Sequence, residues 1–136
     1  MELTFNVQGG NFSEAGKVSS SVKRALKELS VDAGIIKRVV VALYEAEVNV
    51  VAHAYSGHIT VNIDDAQVKV VIVDKGPGIP DLEEAMRPGF STASEEVRAM
   101  GFGAGMGLPN IKRNVDQLEI QSVVGIGTTV TMITKI

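Results

Sequence analysis

Three patches of this chain carry residue types at spacings that could do chemistry. In the first, the β-branched run Val68 to Val73 delivers one carboxylate, Asp74, into the turn Lys75-Gly76-Pro77-Gly78-Ile79-Pro80. A carboxylate at a strand end can accept a hydrogen bond from an amino group on a flat ligand. The glycines permit close approach and positive φ, although the same residues also make an ordinary Pro-Gly turn. The second patch is Gly101-Phe102-Gly103-Ala104-Gly105-Met106-Gly107-Leu108. Alternating glycines that open into a helix gather N–H donors at a positive helix end, which is how a backbone holds phosphate. No Gly-Lys-Ser/Thr follows, so this is not a Walker loop. The stretch Glu95 to Met100 is no buried strand, so the dinucleotide fingerprint is also poor. A hinge is the competing reading. The third patch is Glu45, Asn49 and His53, which recur at i, i+4 and i+8 and so share one face of a helix. That stripe either faces water or forms the floor of a polar ligand site, with the Asn oxygen on a hard cation and the Glu as base. In either case His53 packs or caps. Glu47 falls near Leu43, Val50 and Ala54 on the helical wheel, which predicts a carboxylate partly exposed at the helix edge, with no function attached.

The elements that must position these groups follow from periodicity. Glu2 to Val7 alternates and predicts a half-buried strand. Asn11 or Ser13 can cap a helix running to about Ser30, and Asp32 caps a second, nearly all-apolar helix from Ala33 to about Tyr55, ended by Ser56-Gly57. The second helix would be roughly 35 Å long at the α-helical rise. His58 to Ile63 and Gln67 to Val73 predict a hairpin around Asp64-Asp65. Gly105 to Asp116 reads as a third helix with Pro109 in its first turns. Leu118 to Val123 and Thr128 to Ile136 read as two further strands. The predicted fold is α+β, a two-layer sandwich with a mixed, mostly antiparallel sheet and about three helices on one face.

Composition narrows the function classes. The 136 residues suit one domain, 1–136. The absence of cysteine excludes disulfides, thiolate zinc sites and a Cys nucleophile. A net charge of −3 argues against a dedicated nucleic-acid binder. With no apolar run of membrane-spanning length and no signal-like start, the expectation is a soluble, cytoplasmic protein without membrane contact. Of the 14 glycines, seven fall between positions 76 and 107, and all four prolines fall between 77 and 109. A long loop-built stretch therefore divides two well-patterned blocks.

Taken in order, Glu45-x-x-x-Asn49, Asp74-x-Gly76-x-Gly78, Gly103-x-Gly105-x-Gly107 and Gly127-Thr128 resemble the N, G1 and G2 boxes and closing Gly-Thr of the GHKL ATPases. That superfamily joins gyrase-, chaperone- and histidine-kinase-type ATP-binding domains. Within it the chain is most similar to the small anti-sigma-factor serine/threonine kinases of bacterial sporulation and stress switches. The likeness also runs through Pro88-Gly89-Phe90-Ser91-Thr92 and Leu108-Pro109-Asn110-Ile111-Lys112-Arg113, and it spans essentially the whole chain.

The resemblance implies roles residue by residue. Asp74 would hold the adenine amino group with Thr128 in support, and Gly76, Gly78 and Ile79 would shape that end of the site. Asn49 would bind Mg²⁺ bridging the phosphates of ATP. Gly103, Gly105, Met106, Gly107 and Leu108 would cradle those phosphates. Residues 76–104 would form the ATP lid, with Ser91 and Thr92 near the nucleotide. Glu45 matches the general base that takes the proton from a partner serine, and Arg98 matches a lid arginine that steadies transferred phosphate. The chain departs from that pattern where Ala99 to Ala104 intervene before Gly-Met-Gly; this extra turn resembles the branch of switch kinases that activates a phosphatase. The implied partners are an anti-anti-sigma (STAS-type) protein, a sigma factor or another regulator. A homodimer through Phe5, Val7 and the first helix is suggested by related switch kinases. No histidine-kinase dimerisation helix precedes the ATP-binding block, so a complete sensor kinase is not expected. A nucleotide-dependent binding module without phosphotransfer, or an ATPase driven by lid closure, are the alternative functions.

Overall fold

Polar–apolar alternation at period two builds one sheet, and the 3.6-residue periodicity of the apolar positions builds the helices that cover it. The computed structural model describes residues 1–86 and 107–136. Along the chain these form β1 (Glu2–Gln8), a short 3-10 turn (Phe12–Glu14), α1 (Lys17–Glu28), α2 (Ala33–His53), β2 (Ser56–Ile63), β3 (Gln67–Lys75), α3 (Leu82–Ala85), α4 (Gly107–Asn114), β4 (Gln117–Val123) and β5 (Gly127–Lys135). The strands order as β1-β2-β3-β5-β4. All four strand pairings among the described residues are antiparallel, which sharpens the expectation of a mostly antiparallel sheet. The chain reaches the far edge at β4 and hairpins back, so β5 inserts between β3 and β4. Those two strands run the same way yet never pair.

The inward-facing residues Ile59, Val61, Val68, Val70, Ile72 and Met132 meet Val22, Leu26 and Leu43 of the helices in one core. The opposite sheet face carries the cross-strand row Thr4, Thr60, Val71, Thr131 and Glu119. That row is mostly polar, as a face left to water should be. The β2–β3 hairpin is closed by Asp64, whose Oδ1 accepts from the N–H groups of Ala66 (2.7 Å) and Gln67 (2.9 Å). The two bonds hold its carboxyl below the usual aspartate range.

The longest helix, α2, sits between α1 and α4. Its N-terminus is capped as expected, by Asp32 accepting from the Gly34 N–H at 3.0 Å. Its C-terminus differs from expectation: the helix stops at His53, and Gly57 is not a terminator but a buried residue of β2. A Cβ at Gly57 would lie 2.8 Å from Val50 Cγ1, so glycine is needed there for close helix–strand packing.

The first helix departs further. It begins at Lys17, not at an Asn11 or Ser13 cap; Asn11 instead accepts from the Ser13 hydroxyl at 3.0 Å. The residue preceding α1 is Gly16, at φ 96°, which has no side chain to offer. The cap comes from another helix. Glu47, expected to be partly exposed at the helix edge, is only 1% exposed. Its carboxylate accepts from the N–H groups of Gly16 (2.9 Å), Val18 (3.2 Å) and Ser19 (3.1 Å), and from the Ser19 hydroxyl (2.8 Å). A buried carboxylate needs such donors to offset its lost hydration, and the positive end of α1 supplies them.

Candidate functional site

One half of the site forms where β3 runs out of the sheet. Asp74 is half-buried at the strand end, and its Oδ1 accepts from the Thr128 N–H at 3.0 Å. Burial pushes its carboxyl above the usual aspartate range, and the Thr128 hydrogen bond opposes that shift. The bond depends on Gly127, because a Cβ there would run into the Asp74 carbonyl. The turn that follows is docked on the β4–β5 hairpin through two backbone bonds, Gly76 N–H to Ile126 O (3.1 Å) and Gly125 N–H to Pro77 O (2.8 Å). Gly78, at φ 76°, lies so close that a Cβ would sit 2.6 Å from the Val123 carbonyl oxygen. Ser122 then joins the pieces. Its Oγ accepts from the Ile79 N–H at 2.7 Å and lies 2.9 Å from the Thr128 hydroxyl.

The other half forms on α2 where α4 crosses it. Glu45, Asn49 and His53 are all half-buried, so the stripe is neither wholly exposed nor part of the core. Asn110 of α4 donates from Nδ2 to Glu45 Oε1 at 3.3 Å. Gly107 lies against Asn49, where a Cβ would come within 3.1 Å of Asn49 Oδ1. Burial lowers the His53 pKa from the usual histidine value, which favours its neutral form. The two halves meet at Gly76, where a Cβ would approach Ala54 Cα to 3.1 Å at the end of α2 and Asp74 Oδ1 to 3.4 Å.

Of the residues expected at the site, Asp74, Gly76, Gly78, Ile79 and Thr128 therefore cluster at one end, and Glu45, Asn49 and Gly107 at the other. Leu108 packs against the hydrophobic core. Ser91, Thr92, Arg98, Gly103, Gly105 and Met106 lie outside the described residues. Two residues went unread in the sequence. Ser122 occupies a position where the alternation Leu118-x-Ile120-x predicts an apolar residue, and that polar intrusion was its signal. Asn110 has no comparable mark.

A five-stranded antiparallel sheet backed on one face by helices, with an aspartate at a strand end beside a Gly-x-Gly turn, defines the histidine-kinase-like ATPase sandwich. The chain belongs to that family: the model of the histidine kinase-like ATPase domain matches residues 12–134. Membership carries ATP binding with it. The chain is 36% identical over 137 residues to the anti-sigma F factor of Caldanaerobacter subterraneus subsp. tengcongensis, covering 97% of this chain and 90% of that protein. It is 33% identical over 112 residues to the serine/threonine-protein kinase RsbT of Bacillus subtilis, covering 79% of this chain and 78% of that one. Among solved structures it resembles the RsbU and RsbW domains of Rv1364c from Mycobacterium tuberculosis, with a TM-score of 0.67 at 18% identity. That match covers 98% of this chain and 32% of the other, and the likeness is one of fold. Among the described residues no helix is long and apolar enough to cross a membrane.

Proposed function

We propose that this chain is an ATP-dependent serine/threonine kinase that binds a regulatory protein and phosphorylates it. The observation that carries this reading is the placement of Glu45 one helical turn from Asn49, both on the half-buried ridge of α2 that α4 crosses. A carboxylate held at such a ridge can take a proton, and a carboxamide oxygen can hold a hard cation. The relatives named anti-sigma F factor and serine/threonine-protein kinase support the same reading. The partner we propose is an anti-anti-sigma (STAS-type) protein or a sigma factor, met in the cytoplasm by a single ATP-binding domain spanning 1–136 with its lid at about 76–104.

The site has the chemistry that ATP requires. Asp74 accepts from the adenine amino group with its free acceptor capacity, while the Thr128 N–H holds Oδ1 in place. Gly76 and Gly78 let the turn after Asp74 pack closely against Ala54 and the β4–β5 hairpin, which fixes the adenine end. Asn49 offers its oxygen to Mg²⁺, which would neutralise phosphate charge in the transfer. Glu45 takes the proton from the partner's Ser or Thr hydroxyl. The hydroxyl oxygen bonds to the γ-phosphorus as the bond from that phosphorus to the β–γ bridging oxygen breaks, and ADP leaves.

The test is transfer of labelled γ-phosphate from ATP to proteins that co-purify with the chain. Wild type should label a Ser or Thr, and Glu45→Gln should keep ATP affinity while transfer falls by roughly 10²- to 10⁴-fold. Equal labelling by both would remove Glu45 from the chemistry. ATP-dependent partner binding with no labelling at all would make the chain a binding module.

A further inference from the structure

The contacts of α2 with α4 and with Asp116, just past the end of α4, form a ladder. Along α2 the rungs are Arg38, Glu45 and Asn49, and they meet Asp116, Asn110 and Gly107 in reverse order. The two helices therefore run antiparallel, and Asn110 stands level with Glu45 because Gly107 stands level with Asn49. The outer rung is an Arg38 Nη2 to Asp116 Oδ1 bond of 3.0 Å. The same Asp116 carboxylate accepts from the Lys135 N–H at 2.6 Å, which ties this end to β5. Around Asn110 the helix is fixed by packing: Pro109 is buried and Ile111 is 0% exposed. Asn114 Nδ2 donates to the Asn110 carbonyl at 2.8 Å and fastens the last turn.

From this geometry we propose that Asn110 is a positioning residue for Glu45. The proposal rests on the reading of Glu45 as the proton acceptor. A glutamate on a helix has three rotatable bonds, and an untethered carboxylate spends much of its time away from a productive orientation. Asn110 holds one oxygen, Oε1, through an amide hydrogen and leaves Oε2 to receive the hydroxyl proton. Only the Nδ2 end of the carboxamide can donate, so the orientation of Asn110 is dictated by its partner. Because α4 starts at Gly107 against Asn49, the same helix sets the distance from the base to the proposed cation-holding amide. Asn110 touches no reacting atom and acts through Glu45.

The experiment uses the full chain and measures two quantities in each variant: Mg-ATP affinity by calorimetry, and the turnover of labelled γ-phosphate from Mg-ATP onto Ser or Thr of the proteins that co-purify with the chain. Asn110→Leu, which keeps the shape and removes the donor, should lower kcat roughly tenfold with Mg-ATP affinity within about twofold of wild type. Asn110→Asp should lose at least as much, because it sets a second carboxylate against Glu45. Asn110→Gln, which restores a carboxamide, should recover part of the loss. Turnover by Asn110→Leu within about twofold of wild type, while Glu45→Gln is inactive, would overturn the role of Asn110 alone. Turnover by Glu45→Gln equal to wild type would overturn the reading of Glu45 and this proposal with it. Wild type that binds Mg-ATP but labels no co-purifying protein would do the same.

Discussion

At the residue scale, the same environment that fits Asp74 for a ligand makes it a cost to the fold. Its folded-state pKa is raised above the ordinary 3.8, so its contribution to stability is full below that value and is lost as pH rises through the raised folded value. Near neutral pH the ionised carboxylate is therefore a liability that the Thr128 N–H only partly offsets. Asp74→Asn keeps an acceptor for that N–H and removes the buried charge. We expect it to be at least as stable as wild type in urea near neutral pH, with the gap closing as pH falls through the raised folded value toward about 4. We also expect it to lose ATP affinity at least about tenfold, because its remaining amide end presents a donor to the adenine amino group. Unchanged affinity would remove Asp74 from the site. Asp74, Glu45 and Asn49 were legible because their spacing sets them against glycine or along one helix face. Asn110 was not, since an Asn near the start of a helix reads as an ordinary surface polar residue until the facing helix is known.

At the element scale, the least expected feature is a helix capped by its neighbour. Ser, Thr, Asn and Asp are the side chains that cap a helix locally, and Asn11 and Ser13 stand just before α1. The actual acceptor, Glu47, lies 28 residues along the chain from Ser19. Its donors are mostly backbone N–H groups, which carry no residue signature, so only the oddity of a carboxylate among Leu43, Val50 and Ala54 hinted at it. The strands were read nearly in full because alternation is local, whereas the insertion of β5 between β3 and β4 is a matter of topology that no local pattern encodes. Glu47→Leu would orphan the whole set of donors at the start of α1. We expect a loss of about 3–5 kcal/mol in urea denaturation, with Glu47→Gln intermediate because it keeps one acceptor oxygen. A loss of less than about 1 kcal/mol for Glu47→Leu would mean that α1 is held by its apolar face alone.

At the scale of the whole molecule, one helix organises both the fold and the site. The inner residues of α2 fill the core, Glu47 fixes α1, and Glu45 and Asn49 face α4 one turn apart. At its C-terminal end Ala54 lies beside Gly76, which brings the adenine end within reach. Most of the apolar faces and the order of the motifs could be read from the sequence, because amphipathic periodicity and glycine spacing are properties of short stretches. Which polar groups would be buried together could not, because that depends on helix–helix register. The most direct measurement is a calorimetric titration of Mg-ATP into the purified chain. One saturable site per chain is expected, together with a gain in unfolding free energy of about 2.7 kcal/mol at a hundredfold excess over Kd. No binding heat and no shift in the unfolding transition at millimolar Mg-ATP would contradict the assignment of this site to ATP.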